Sequence, residues 1–230
     1  MQEPDRNVVG MTDLSGRVAM VVGAEFASGG AIALALAEAG ADVAVCAVQA
    51  DERVLESRKV KRAIETMGRR SAEYVMDVTL GRNVQVTTRQ VAKEMGGLDI
   101  VVSASELPMT APLEKMSEME LARVVALNFS SHLFTIRSAA AEFRRNEAGP
   151  NGRGIVLVLT RAMGEHAAEQ TAFYAAQAGA QQLVRESAVE LAEAGVRVNA
   201  LAVGEDESRV ASVALRLMTT DDTGMVVAVG

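Results

Sequence analysis

The chain contains no tryptophan, and its few tyrosines and phenylalanines make up only 3 % of it. Its core must therefore be built from Ala, Val, Leu and Met. Such small residues let helices lie close on a sheet, which suits layered α/β packing. A single cysteine, Cys46, excludes an intramolecular disulfide framework and points to a reducing, cytoplasmic setting. The two histidines, His132 and His166, have no cysteine or carboxylate cluster around them in sequence, so no metal site is expected. Both are read as helix-surface or loop residues. No apolar run is long enough to cross a membrane. The N-terminal run MQEPDRNVVGMTDLSG lacks the apolar stretch of a secretion signal. A net charge of −7 with no basic run excludes a nucleic-acid footprint.

What is present is enough apolar sequence, 49 % of 230 residues, for one sizeable core. Residues 1–16 read as a flexible tail and 17–230 as one domain. RVAMVVGA (17–24) is a continuous apolar run ending in glycine, the pattern of a buried parallel strand. Similar runs follow at 41–48, 71–79, 98–105, 154–160, 195–204 and 224–230. Between them lie helical patterns at 29–40, 51–68, 82–96, 117–146, 171–194 and 206–218. Strict strand–helix alternation with unbroken apolar strands predicts a doubly wound parallel sheet of about seven strands, a Rossmann-like fold with helices on both faces.

In such folds the turn after the first strand cradles a phosphate against a helix N-terminus. Here that turn reads VVGAEFASGGAIA. Gly23 and Gly29 hold the outer positions of a G-x-x-x-G-x-G pattern, and Ala27 stands at the middle one. A methyl there narrows the space offered to a phosphate. The same residues also read simply as a tight strand-to-helix turn.

Taken together, GRVAMVVGA…GGAIALALAEAGADVAV, MDVT, LDIVVSAS, VVALNFSSHLF, GRGIVLVLT, FYAAQAGAQQLVRESAVELAEAGVRVNALAVG and TGMVVAVG make the chain resemble the short-chain dehydrogenase/reductase family over about residues 14–230. The resemblance implies the Rossmann fold. It also implies an NAD(P) site, a catalytic serine closing the fifth strand and a Y-x-x-x-K pair thirteen residues beyond it. The sequence departs from that pattern at most of these points. The family's N-N-A-G reads Ser103–Ala104–Ser105–Glu106, and its P-G reads Val203–Gly204. The acid that would hold the adenosine ribose falls on Ala47, with no arginine beside it for a 2′-phosphate. Asp77, matching a residue near the adenine, and Asn128, matching the proton-relay asparagine, are kept.

Two registers remain open around the catalytic pair. An ungapped alignment, the favoured one, places Thr160 on the serine, Phe173 on the tyrosine and Gln177 on the lysine. A gapped one places Tyr174 on the tyrosine and Ala178 on the lysine. The family's chemistry needs a phenol, with an ordinary pKa of about 10, pulled towards working pH by a cation one helical turn away. One register has no phenol and the other has a phenol with no lysine. Lys115 is the last lysine in the chain, and Arg185 lies two or three turns further on. The lid that relatives carry after the sixth strand is reduced to EDES before the next helix.

The resemblance, with these departures, implies a catalytically inactive subunit that binds no cofactor or at most NAD(P) weakly. Its expected partner is an active homologue, in a heterotetramer formed through the 117–146 and 171–194 helices and the C-terminal strand. Heteromeric hydroxyacyl-CoA enzymes such as 2-(hydroxybenzyl)succinyl-CoA dehydrogenase are the precedent. Two alternatives stand beside it: an atypical NAD(P)-dependent oxidoreductase using Tyr174 and Thr160, and a homo-oligomeric ligand-binding protein.

Overall fold

A computed structural model describes residues 12–146, 153–163 and 168–230. The strands are β1 (Val18–Val22), β2 (Asp42–Ala47), β3 (Ser71–Val75), β4 (Ile100–Ser103), β5 (Gly154–Arg161), β6 (Val196–Val203) and β7 (Val226–Val229). The helices are α1 (Ala27–Glu38), α2 (Val54–Thr66), α3 (Gly81–Met95), α4 (Glu118–Val125), α5 (Ser131–Phe143), α6 (Thr171–Leu191) and α7 (Val210–Thr219). All seven strands pair in parallel, in the order β3-β2-β1-β4-β5-β6-β7. The expected doubly wound sheet is therefore present, and the strand order reverses between β1 and β4.

Alternate residues of each strand serve opposite faces, as the pleat requires. In β1, Ala19 and Val21 join one core with Ile32 and Leu36 of α1, Ile64 of α2 and Leu215 of α7. Val18, Met20 and Val22 join the other with Val84 and Val91 of α3, Ile136 and Phe143 of α5 and Val184 of α6. Both faces are covered, which is why the strands read as unbroken apolar runs. A Cβ at Gly154 would run into the Phe143 ring, so glycine at the start of β5 lets that ring close the second core.

The long 117–146 stretch is not a uniform helix. Ser117 starts α4 with a capping box: its Oγ accepts from the Glu120 N–H at 3.3 Å, and the Glu120 carboxylate accepts from the Ser117 N–H at 2.8 Å. Residues Ala126–Ser130 then form a π turn before α5 begins. That insertion carries Asn128, a placement in keeping with the concentration of such bulges at functional sites.

Two boundaries move. Leu14, within the expected tail, is buried in the first core, and its N–H donates to Ala39 O at 2.7 Å. The packed body thus reaches back at least to Thr12, while residues 1–11 lie outside the described residues. After β6, residues 204–209 lead directly into α7, so no lid helices intervene there.

Candidate functional site

The reversal of strand order opens a crevice at the C-terminal ends of β1 and β4, the usual ligand position in such sheets. The turn leaving β1 is as tight as its glycines suggest. Gly23 has φ +86°, and a Cβ on it would lie 2.7 Å from Ala104 O. A Cβ on Gly29 would collide with Gly23 O. Ala27 opens α1 and is exposed. A cavity of about 270 Å³ lies against this turn, lined among others by Ser28, Gly29, Ala104, Glu106, Thr160, Arg161 and Glu207.

A charged cluster crosses the cavity. Arg161, at the end of β5, donates through Nε to both carboxylate oxygens of Glu106 at 2.9 Å. Its Nη1 donates to Glu207 Oε1 at 3.0 Å. The other oxygen of Glu207 accepts from Ser28 Oγ, in the first turn of α1, at 2.5 Å. Burial works against the guanidinium's charge, but the two carboxylates outweigh it and hold its pKa above the ordinary value.

Beside the C-terminal end of β2 the chain places polar and aromatic groups of its own. Glu25 Oε1 accepts from the Val48 N–H, just beyond Ala47, at 2.8 Å. Its Oε2 is buried without a partner, and burial raises its pKa. Phe26 packs on the second core with the Arg53 guanidinium 5.5 Å from its ring centroid. Asp77 turns onto its own loop, accepting from the Thr79 N–H and Oγ1 at 3.0 and 2.6 Å.

Deeper in the cleft the polar groups are neutral and satisfy one another. Asn128 Nδ2 donates to Leu107 O and Val124 O at 3.0 and 2.9 Å. Its Oδ1 accepts from the Leu107 N–H at 3.0 Å and from Gln177 Nε2 at 3.2 Å. Gln177 Oε1 accepts from the Arg161 N–H at 3.0 Å. Thr160 Oγ1 accepts from Gln181 Nε2 at 3.2 Å and donates to Leu201 O at 3.3 Å.

Along α6, Phe173 and Gln177 are buried one turn apart, whereas Tyr174 is half-buried and Ala178 exposed. The inner face is the one that the ungapped register assigns to the catalytic pair. Tyr174 lies beside Phe173, the two rings meeting edge to face with centroids 5.3 Å apart. Arg185 is exposed.

One expectation fails. His132 is not a surface histidine: it is wholly buried, with Nδ1 2.8 Å from Ser103 Oγ and Nε2 without a partner. Burial lowers its pKa to about 4, so it is neutral at working pH. The apolar-to-polar change at the end of β4 explains it, since Ser103 reaches His132 and Ser105 reaches Ser131 Oγ at 2.7 Å, tying the strand end to α5. His166 lies outside the described residues. Cys46 is buried, which pushes its thiol pKa up as expected of an inert core cysteine. Among the described residues no three metal-ligating side chains gather, and no helix is long and apolar enough to cross a membrane.

These parts define a doubly wound α/β protein whose crevice follows the plan of a dinucleotide site. The residues in it fit a dinucleotide poorly: the Glu207 carboxylate is bonded to Ser28 in the first turn of α1, the turn on which such folds seat a diphosphate, and β2 ends on the apolar Ala47. The chain belongs to the short-chain dehydrogenase family, whose family model, described as short chain dehydrogenase, matches residues 17–229. It is 30 % identical to the hydroxynaphthalene reductase arp2 of Aspergillus fumigatus over 189 residues, covering 82 % of this chain and 66 % of that one. A hydroxynaphthalene reductase-like protein of Metarhizium robertsii is 32 % identical over 192 residues, covering 83 % and 68 %. The crystal structure of a short chain dehydrogenase from Mycobacterium smegmatis superposes with a TM-score of 0.84 at 27 % identity, covering 94 % of this chain and 92 % of that one.

Sequence reasoning passed over Arg161, Glu207, Ser28 and Gln181 as functional positions. A signal for Arg161 and its partner Glu106 was present. Charged residues directly after the apolar runs of β4 and β5 become neighbours because those strands pair in parallel. The contact between Ser28 and Glu207 spans 179 positions and leaves no local trace.

Proposed function

We propose that this chain is a non-catalytic member of its family that binds no dinucleotide and completes an oligomer with a catalytically competent homologue. The observation that carries the reading is the inner face of α6, where Phe173 and Gln177, the residues that the ungapped register sets against the phenol and the ammonium, are buried. A benzene ring has no proton to transfer. The Gln177 amide is engaged by Asn128 and by the Arg161 backbone. Without a phenol and a nearby cation the proton step of the family's reaction has no donor. Thr160 does not replace them, because its hydroxyl already donates to Leu201 O.

The assembly surface is the outer side of the helices on the same face of the sheet. Met119, Leu121 and Val125 of α4, Leu133 of α5 and Val189 of α6 are exposed. Apolar side chains this numerous on three helices suit burial against another subunit. Strand β7, whose described pairing is to β6 alone, supplies a second edge for association. The partner is a homologue of the hydroxyacyl-CoA or related alcohol dehydrogenase type that carries Y-x-x-x-K, in a cytoplasmic heterotetramer.

Native mass spectrometry of this chain co-expressed with its neighbouring genes tests the reading. A stable mixed oligomer, with turnover lost when the partner's tyrosine is replaced, is the expected result. A homo-oligomer that ignores every such partner would overturn it. The 270 Å³ cavity favours one second reading, a homo-oligomer that binds a small ligand there; a ligand that co-purifies with the homo-oligomer would favour it.

A further inference from the structure

We infer that Glu207 is a built-in occupant of the diphosphate seat, clamped there by Arg161 and Glu106, and that this latch keeps nucleotides out of the cleft. The inference rests on the cofactor-free reading above and names its cause. The first turn of α1 holds backbone N–H groups without intrahelical partners and a positive helix end, which together attract an anion. That turn has no side-chain cap and no acidic residue of its own. The anion that reaches it comes from the β6–α7 connection: Glu207 Oε2 accepts from Ser28 Oγ at 2.5 Å.

The carboxylate is held from behind as well. Arg161 Nη1 binds Glu207 Oε1 at 3.0 Å while its Nε is taken by Glu106 at 2.9 Å. The connection is short and tied at both ends. The Gly204 N–H donates to Val229 O at 2.6 Å, and Asp206 Oδ1 accepts from the Ser208 N–H at 2.9 Å. Counted by charge, one guanidinium faces two carboxylates, so the cluster is net negative. A diphosphate entering this space would have to displace Glu207 from the helix end and then face Glu106 with Arg161 already engaged. Carboxylate and phosphate charges a few ångströms apart in a half-buried site repel strongly. The residue at the family's lid position therefore does the opposite of a lid. It fills the seat instead of closing over an occupant.

Isothermal titration of the full chain with NADH, and separately with inorganic pyrophosphate, tests the latch. Glu207→Gln keeps the shape and removes one charge, and Glu106→Gln/Glu207→Gln removes both. Ser28→Ala deletes the hydroxyl that holds Glu207 and is mild for a helix start. Glu65→Gln, on the surface of α2, serves as control. The expected result is no saturable binding to the parent or the control, and saturable binding of both probes to Glu207→Gln. The double variant should bind at least about tenfold tighter than Glu207→Gln, and Ser28→Ala should show a smaller gain. Parent and variants binding NADH equally would overturn both the latch and the cofactor-free reading. No binding by any variant that melts like the parent would overturn the latch alone. Should Glu207→Gln fail to fold, Ser28→Ala decides by the same criterion.

Discussion

The cleft and the outer side of α4, α5 and α6 treat their functional groups in opposite ways. In the cleft nearly every polar group is spent on another group of the same chain: Asn128 on Gln177, Gln181 on Thr160, Glu207 on Ser28 and Arg161. On the outer side the side chains that would gain from burial are left open, Met119 at 79 % and Val189 at 77 % exposure. A satisfied polar network has nothing left to offer a substrate, whereas an unburied apolar face still has free energy to gain from a neighbour. The difference is why the proposed role looks to the helices rather than to the cleft.

The comparison breaks most severely if the outer face is not an interface. Leu121→Glu with Val189→Glu, on α4 and α6, should abolish oligomer formation in analytical ultracentrifugation while leaving the circular dichroism spectrum unchanged. Next in size, Asn128→Ala strips partners from Leu107, Val124 and Gln177 inside the protein. Loss of about 3 kcal/mol in urea unfolding is expected, because orphaned buried groups cost 1–3 kcal/mol each. Acid should reveal His132. Its pKa is about 4 when folded and about 6.5 when unfolded, so the unfolded chain takes up the proton first as pH falls. The neutral buried ring thus contributes stability that is present above about pH 6.5 and is lost by about pH 4, on the order of 3 kcal/mol. His132→Gln should remove that share of the slope in denaturation curves taken across the window.

A smaller effect tests the cleft from within. Gln177→Lys restores the cation but no acceptor, so the Arg161 N–H loses its partner and a charge is buried. Stability should fall by about 2 kcal/mol, and Phe173→Tyr/Gln177→Lys should show no NAD(P)H turnover in a spectrophotometric assay. Smallest of all, Lys61→Ala removes a surface pair with Glu65 on α2 and should shift stability by less than about 0.5 kcal/mol.

The architecture was legible because both faces of the sheet are covered, which prints each strand as an apolar run and each helix as a separate periodic segment. VAMVV and VRVNALAV lie where those runs fall, with ends shifted by a residue or two. The 171–194 helix is present as α6 and a closing 3₁₀ turn. Within it, Phe173 and Gln177 are buried and Tyr174 is half-buried, so the first two mark the side that faces inward. The π turn at Asn128 was not legible, since one extra residue in a helix barely disturbs its periodicity. Nor was the burial of His132, whose partner Ser103 is 29 positions away on a different element. The charged cluster escaped for the same reason. Its members sit just after β4, on β5, on α1 and on the β6–α7 connection, and only the folded sheet makes them neighbours.

The connection of residues 204–209 has a further consequence. Enzymes with a mobile flap carry two states, and a ligand can pass its presence to neighbouring subunits by choosing between them. A segment held by Val229 at one end and by its own turn at the other favours one state over such a choice. Inside a mixed assembly this chain would act as a passive splint, adding rigidity without transmitting cooperativity. Saturation curves of the whole would then approach those of independent sites.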